Sequence, residues 1–166
     1  TLQDVFGKRM RIGQASYTQE QRQVLIDSLV KSISGISDQV IQKRIGSKAV
    51  QACLKYADTS RIASIGKLLI TSNLPKYLTG TYTHYLIRKY IKVCTKKDRE
   101  TIFESVKRNL GVVVSTMEGN RILDCLVNNF CSNAQISELK AIIDERVKNS
   151  PESIADFGLK LVDRTL

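Results

Sequence analysis

Two independent sets of residues recur along this 166-residue chain with one shared beat. The segments Gly46–Tyr56, Tyr82–Lys92 and Gly119–Asn129 align with starts 36 and 37 residues apart. The i, i+4 apolar pairs Ile65/Leu69, Ile102/Val106 and Leu139/Ile143 follow at 37-residue intervals, and Leu25/Leu29 read as an earlier copy. A fixed period of this size is the signature of stacked supersecondary units, none of which buries its apolar stripe alone. The chain is therefore expected to be an all-α solenoid.

The local pattern is helical, with apolar residues at i, i+3, i+4 and i+7; strict alternation is confined to Val112–Val114. Ser16 and Thr18 announce a helix over Gln19–Ile33, and Asp58, Thr59 and Ser60 one over Arg61–Ile70. Asp98 and Glu100 open Arg99–Asn109, while Ser132 and Asn133 precede Ala134–Lys148. Short helices are expected near Asp38–Arg44, Leu74–Leu78 and Val112–Met117, with Gly35, Gly80 and Gly111 as breaks between units. Each unit then holds a short first helix, a second helix bearing the aligned motif, and a longer third helix. Residues 16–150 form this repeat domain: the third helix of a leading unit, then three motif-bearing repeats. Residues 1–15 read as a basic linker or a decayed leading unit, and 151–166 as a partial fourth repeat or a C-terminal cap.

Catalysis has little to stand on. His84 is the sole histidine, so neither a hydrolase triad nor a His-based metal site has its parts. No phosphate-binding loop or zinc signature occurs. Cys53, Cys94, Cys125 and Cys131 stand singly among apolar residues and read as small core hydrophobes of a reducing compartment. These missing motifs leave no cofactor, metal or small-molecule substrate expected, and with neither a membrane-spanning run nor a secretory leader pattern in the sequence no membrane partner is expected.

Charge is more informative. The formal net charge is +10, and residues 1–110 hold 20 of the 26 basic side chains but only 8 of the 16 acidic ones. Clusters at Lys8/Arg9/Arg11, Lys43/Arg44, Arg88/Lys89/Lys92 and Lys96/Lys97 point to a polyanionic partner. The Lys96–Lys97 and Lys107–Arg108 pairs equally suit solvated helix ends.

On the motif helix, positions i, i+1 and i+4 lie on or beside one face. That face is expected to carry Ser47, Lys48 and Gln51, then Thr83, His84 and Ile87, then Asn120, Arg121 and Asp124, lined up along one concave surface. The outer members of such a triplet suit a base edge, and the middle one a stacked base or a phosphate. Gln51 equally suits a hydrogen bond to a neighbouring helix, His84 a groove position without ligand, and Tyr82, Tyr85 and Tyr90 inter-repeat packing. Lys48 and Arg121 are the strongest candidate cations.

In these segments and their period, the chain resembles the Pumilio (PUF) RNA-binding repeats over roughly residues 19–150, and most of all the divergent nucleolar Puf-A (penguin) branch. The resemblance implies a right-handed α-solenoid of three-helix, armadillo-like repeats that reads one base per repeat. Ser47 and Gln51 match the family's combination for adenine, with Lys48 in the stacking position. Ile87 cannot donate or accept where a base-edge residue belongs, and Asp124 is short. The resemblance thus implies backbone-dominated, weakly sequence-specific binding to structured RNA, rRNA among it, or DNA, with Lys43, Arg44 and Arg88 adding to the contact set. It further implies work in ribosome biogenesis or pre-rRNA processing, or post-transcriptional control through mRNA 3′ regions. Pre-ribosomal proteins would be partners, and the nucleus or nucleolus, or the cytoplasm, the location. The competing reading is a HEAT-like or tetratricopeptide-like scaffold whose basic face meets an acidic protein; the period, longer than 34, and the lack of tryptophan weaken its tetratricopeptide form.

Overall fold

A computed structural model describes residues 2–149; the expectations for 151–166 lie outside the described residues. The chain divides into two compact units, Thr1–Leu123 and Asp124–Leu166. Eleven helices are described: α1 (Leu2–Ile12), α2 (Gln19–Ser34), α3 (Ser37–Ile41), α4 (Arg44–Tyr56), α5 (Thr59–Leu69), α6 (Leu74–Thr79), α7 (Thr83–Val93), α8 (Lys96–Arg108), α9 (Leu110–Ser115), α10 (Met117–Asn129) and α11 (Asn133–Asn149). No strand occurs among the described residues. This is the all-α repeat architecture, in the order short helix, motif helix, long helix.

The long helices begin where a side chain satisfies an orphan backbone N–H. Thr18 accepts from Gln21 N (3.3 Å) while its own N–H donates to Gln21 Oε1 (2.9 Å), a reciprocal capping box. Asp58 accepts from Arg61 N at 2.9 Å and Thr95 from Asp98 N at 3.1 Å. Hydrogen bonds to Arg61 hold the Asp58 carboxyl below its ordinary pKa, the backbone N–H first among them. In the second unit Ser132 caps α11, accepting from Gln135 N at 3.3 Å, and Cys125, Leu126 and Leu139 are buried. Asp58, Thr95 and Ser132 are themselves 37 residues apart, so the caps keep the beat.

In the first unit α1 packs on α4 and α4 on α7, with α2 against α4 and α5, and α6 against α7 and α8. Ile26, Leu29 and Ile33 from α2, Ile65 and Leu69 from α5, and Ile102 and Val106 from α8 fill the space behind the motif helices, all essentially excluded from water. Each such side chain contributes roughly 1.5–3 kcal/mol of burial. Neighbouring repeats are also tied by polar contacts. Tyr77 Oη donates to Asp38 Oδ1 (3.0 Å), and Arg61 pairs with Asp27 (2.6 Å) while its Nε donates to Gln23 O (3.3 Å). Within the middle repeat Tyr90 Oη donates to Asp98 Oδ2 (2.7 Å), and burial with that carboxylate pushes the phenol far above its ordinary range.

Three local expectations are corrected. The leading segment is no linker: Leu2–Ile12 is helical, with Val5 and Ile12 buried and Arg22 bonded to Ile12 O (3.3 Å) and Gln14 O (3.0 Å). Val5 and Ile12 stand two turns apart on one face, which suffices for docking on α4. Gly111 is not a break but lies inside α9, which starts at Leu110 rather than Val112. Gly80 does end a helix, but the short α6 within a unit. The cysteines are free; Cys53, Cys94 and Cys125 are buried, Cys131 half-buried, and burial lifts the Cys53 thiol to about 12.

Candidate nucleic-acid interface

The face of a motif helix is set by how its first turn leaves the short helix before it. In α4, Gly46 lies so close to the Val40 carbonyl that a Cβ would collide with it, and in α10 Gly119 meets Val113 in the same way. Val40 and Val113 are matched in the middle repeat by Tyr77, at intervals of 37 and 36 residues. The residue that meets Tyr77 is Thr83, whose Oγ1 donates to Tyr77 O at 2.8 Å. Thr83 therefore occupies the place of Gly46 and Gly119. The glycine is displaced to Gly80, where a Cβ would collide with Thr83 Oγ1.

This shifts the middle triplet by one residue. Thr83, His84 and Ile87, expected on the exposed face, are 1%, 1% and 0% exposed: all three are buried. The equivalent positions are instead Ser47, His84 and Asn120, then Lys48, Tyr85 and Arg121, then Gln51, Arg88 and Asp124. Backbone geometry agrees: Ser47, His84 and Asn120 each donate an amide to the carbonyl four residues back, at Lys43, Gly80 and Thr116. Inward and outward positions then coincide. Ala49, Leu86 and Ile122 are buried, as are Val50, Ile87 and Leu123.

The first row is structural as well as polar. Ser47 is fully buried; its Oγ donates to Tyr82 O (2.7 Å) and accepts from Gln51 Nε2 (3.1 Å). His84 Nδ1 lies 3.0 Å from Gly80 O, so the tautomer protonated there donates to it and leaves a lone pair on Nε2. Asn120 Nδ2 bridges Val114 O and Thr116 O, both at 2.9 Å. In the third row Gln51 and Arg88 are half-buried, and Asp124 is exposed, accepting from Asn128 Nδ2 at 2.8 Å. His84 Nε2 and Arg88 Nε are buried atoms without a hydrogen-bond partner among the described residues.

The middle row projects outward. Lys48 and Arg121 are exposed and Tyr85 is 47% exposed, with its ring 3.9 Å from that of His84 and its Oη accepting from Arg121 Nη1 at 3.3 Å. Tyr85, whose spacing also suited inter-repeat packing, is thus an exposed platform in line with two cations. Counting back from the caps finds it from sequence: Ser47 stands eleven residues before Asp58, and His84 eleven before Thr95. Tyr82 is also exposed, whereas Tyr90 is buried. Lys43 and Arg44 are exposed at the N-terminus of α4, where positive charge opposes the helix dipole and the fold gains nothing from it. Neither α4 nor α7 contains an acidic residue. Among the described residues no cluster suited to a metal ion occurs, and no helix is long and apolar enough to cross a membrane.

No known family matches this sequence, and no curated protein does. Solved structures do match. The Puf4 RNA-binding domain bound to HO endonuclease RNA aligns with a TM-score of 0.67 at 12% identity, over 86% of this chain and 43% of that one. The Puf3 domain bound to Cox17 RNA gives 0.64 at 16%, over 86% and 44%. The yeast Puf5p domain bound to SMX2 RNA gives 0.59 at 19%, over 90% and 44%. The chain has the fold of Puf RNA-binding domains and spans less than half the length of these three.

Proposed function

We propose that the face formed by α4, α7 and the first two turns of α10 binds RNA. The observation that carries this reading is the exposed row Lys48–Tyr85–Arg121, one residue per repeat, on a surface free of carboxylates in α4 and α7. A planar phenol stacks on any base, and the flanking cations meet phosphate or stack in turn. The Puf domains of like fold were solved with RNA bound, which supports the same partner here. Buried Ser47 holds Gln51 by a hydrogen bond, and half-buried Gln51 keeps polar capacity toward an adenine edge. Arg88, half-buried, places guanidinium donors toward a second base, while His84 is buried beneath that face. With Asp124 short and Asn120 committed to backbone carbonyls, stacking and phosphate contacts outweigh base reading, so specificity is weak. The Puf-A-like segments extend the reading to ribosome biogenesis or pre-rRNA processing in the nucleolus, with post-transcriptional control of mRNA as the other process.

A salt titration with a mixed-sequence single-stranded RNA tests this. Contacts from Lys43, Arg44, Lys48 and Arg121 should give a linear fall of log affinity with log salt, at about 0.7 per phosphate neutralised. Absence of binding even at low salt would overturn the reading and favour an acidic protein partner.

A further inference from the structure

One exposed aromatic side chain has no part in the Lys48–Tyr85–Arg121 row. Tyr82 is the N-cap of α7 and is 41% exposed. That position favours serine, threonine, aspartate or asparagine, whose side-chain oxygen accepts a free backbone N–H, and Tyr82 makes no such bond. The fold thus forgoes a cap and leaves a large ring in water at the same residue. The side chain has no hydrogen bond or ring contact among the described residues. Nothing in the packing calls for a tyrosine here.

The fold does fix the main chain beneath the ring. Tyr82 O accepts from the buried Ser47 Oγ (2.7 Å), which itself accepts from Gln51 Nε2 (3.1 Å). This relay ties the start of α7 to α4 at the junction of two repeats, so the ring is carried at a set place. The backbone at Tyr82 is already right-handed (φ −109°, ψ −30°). Tyr82 and Tyr85 therefore stand i, i+3 on one side of α7, with Cβ atoms roughly 5–6 Å apart. Ile45 bears the same relation to Lys48, and Glu118 to Arg121. Of these three residues Tyr82 alone offers a π-face.

We infer that Tyr82 is a second stacking platform, so that α7 holds two unpaired bases, one on Tyr85 and its neighbour on Tyr82. The contact is tolerant of sequence, because every base has a π-face. It meets no phosphate, so its contribution does not depend on salt, unlike that of the cations. This rests on the RNA-binding reading above and adds a nucleotide to it.

The chain contains no tryptophan. Tyr82→Trp therefore places a single indole at the platform, and a base stacked on it quenches the fluorescence. Saturation with a mixed-sequence single-stranded RNA should quench Tyr82→Trp and Tyr85→Trp strongly. Tyr17→Trp, between α1 and α2, should stay near its RNA-free level. Tyr82→Trp/Tyr85→Ala should keep its quench, since the two bases are separate. In anisotropy titrations Tyr82→Ala should weaken binding by about fivefold or more, with the salt slope and the melting temperature unchanged. Tyr82→Phe, which keeps the ring, should recover that loss. The inference is overturned if saturating RNA leaves Tyr82→Trp unquenched, if the quench vanishes with Tyr85→Ala, or if Tyr82→Ala binds like the parent. Failure of the parent to bind RNA at low salt would overturn the RNA-binding reading itself; binding to which Tyr82 is indifferent would overturn only the second platform.

Discussion

Ile87→Ala should destabilise the protein by about 2–5 kcal/mol in urea or thermal unfolding. The side chain is fully excluded from water on α7, so truncation removes its burial and leaves a space that neighbouring helices only partly fill. The folded fraction should bind single-stranded RNA with parental affinity. The register with Ile87 on the outer face makes the opposite statement. There the same substitution would be a surface change, within about 0.5 kcal/mol of the parent. An unchanged unfolding curve would therefore return Thr83, His84 and Ile87 to the middle triplet and remove Tyr85 from the row.

Lys48→Ala/Tyr85→Ala/Arg121→Ala should have the largest effect on binding. Base stacking on one aromatic is worth about 1–3 kcal/mol, so losing Tyr85 alone should cost roughly one to two orders of magnitude in affinity. Each lost cation that meets phosphate should remove about one unit of salt slope across many sequences. All three side chains are exposed, and the Arg121–Tyr85 hydrogen bond is on the surface, so stability should stay within about 0.5 kcal/mol. Anisotropy titrations beside a melting curve read both effects. Parental affinity in this variant would place the ligand elsewhere.

The fold was legible because its signals are local and repeated. Thr18, Asp58 and Ser132 cap the helices that their side chains announce, and Ile65/Leu69 and Ile102/Val106 are buried as their spacing requires. Asp98 does not open its helix: it sits inside the first turn of α8, and Thr95, three residues earlier, is the cap. The leading helix was harder to see because its described buried residues are only Val5 and Ile12, scattered among Lys8, Arg9 and Arg11.

The site was legible at its ends and not in its middle. Gly46 and Gly119 fix the register in their repeats because a close helix–helix approach admits no Cβ there. In the middle repeat a threonine hydroxyl makes that approach, with Gly80 giving it room, so an alignment by residue type slips by one. The slip hid Tyr85 and put two packing residues, Thr83 and Ile87, among the contacts. A tyrosine at helical spacing is equally suited to a core or a platform, and only its 47% exposure separates the two.

The most direct measurement is photo-crosslinking of the protein to a 4-thiouridine RNA, with the modified peptides mapped. The account predicts adducts in the peptides bearing Lys48, Tyr85 and Arg121, with Tyr85 foremost. Adducts confined to α2, α5 or α8, with none on α4 or α7, would contradict it.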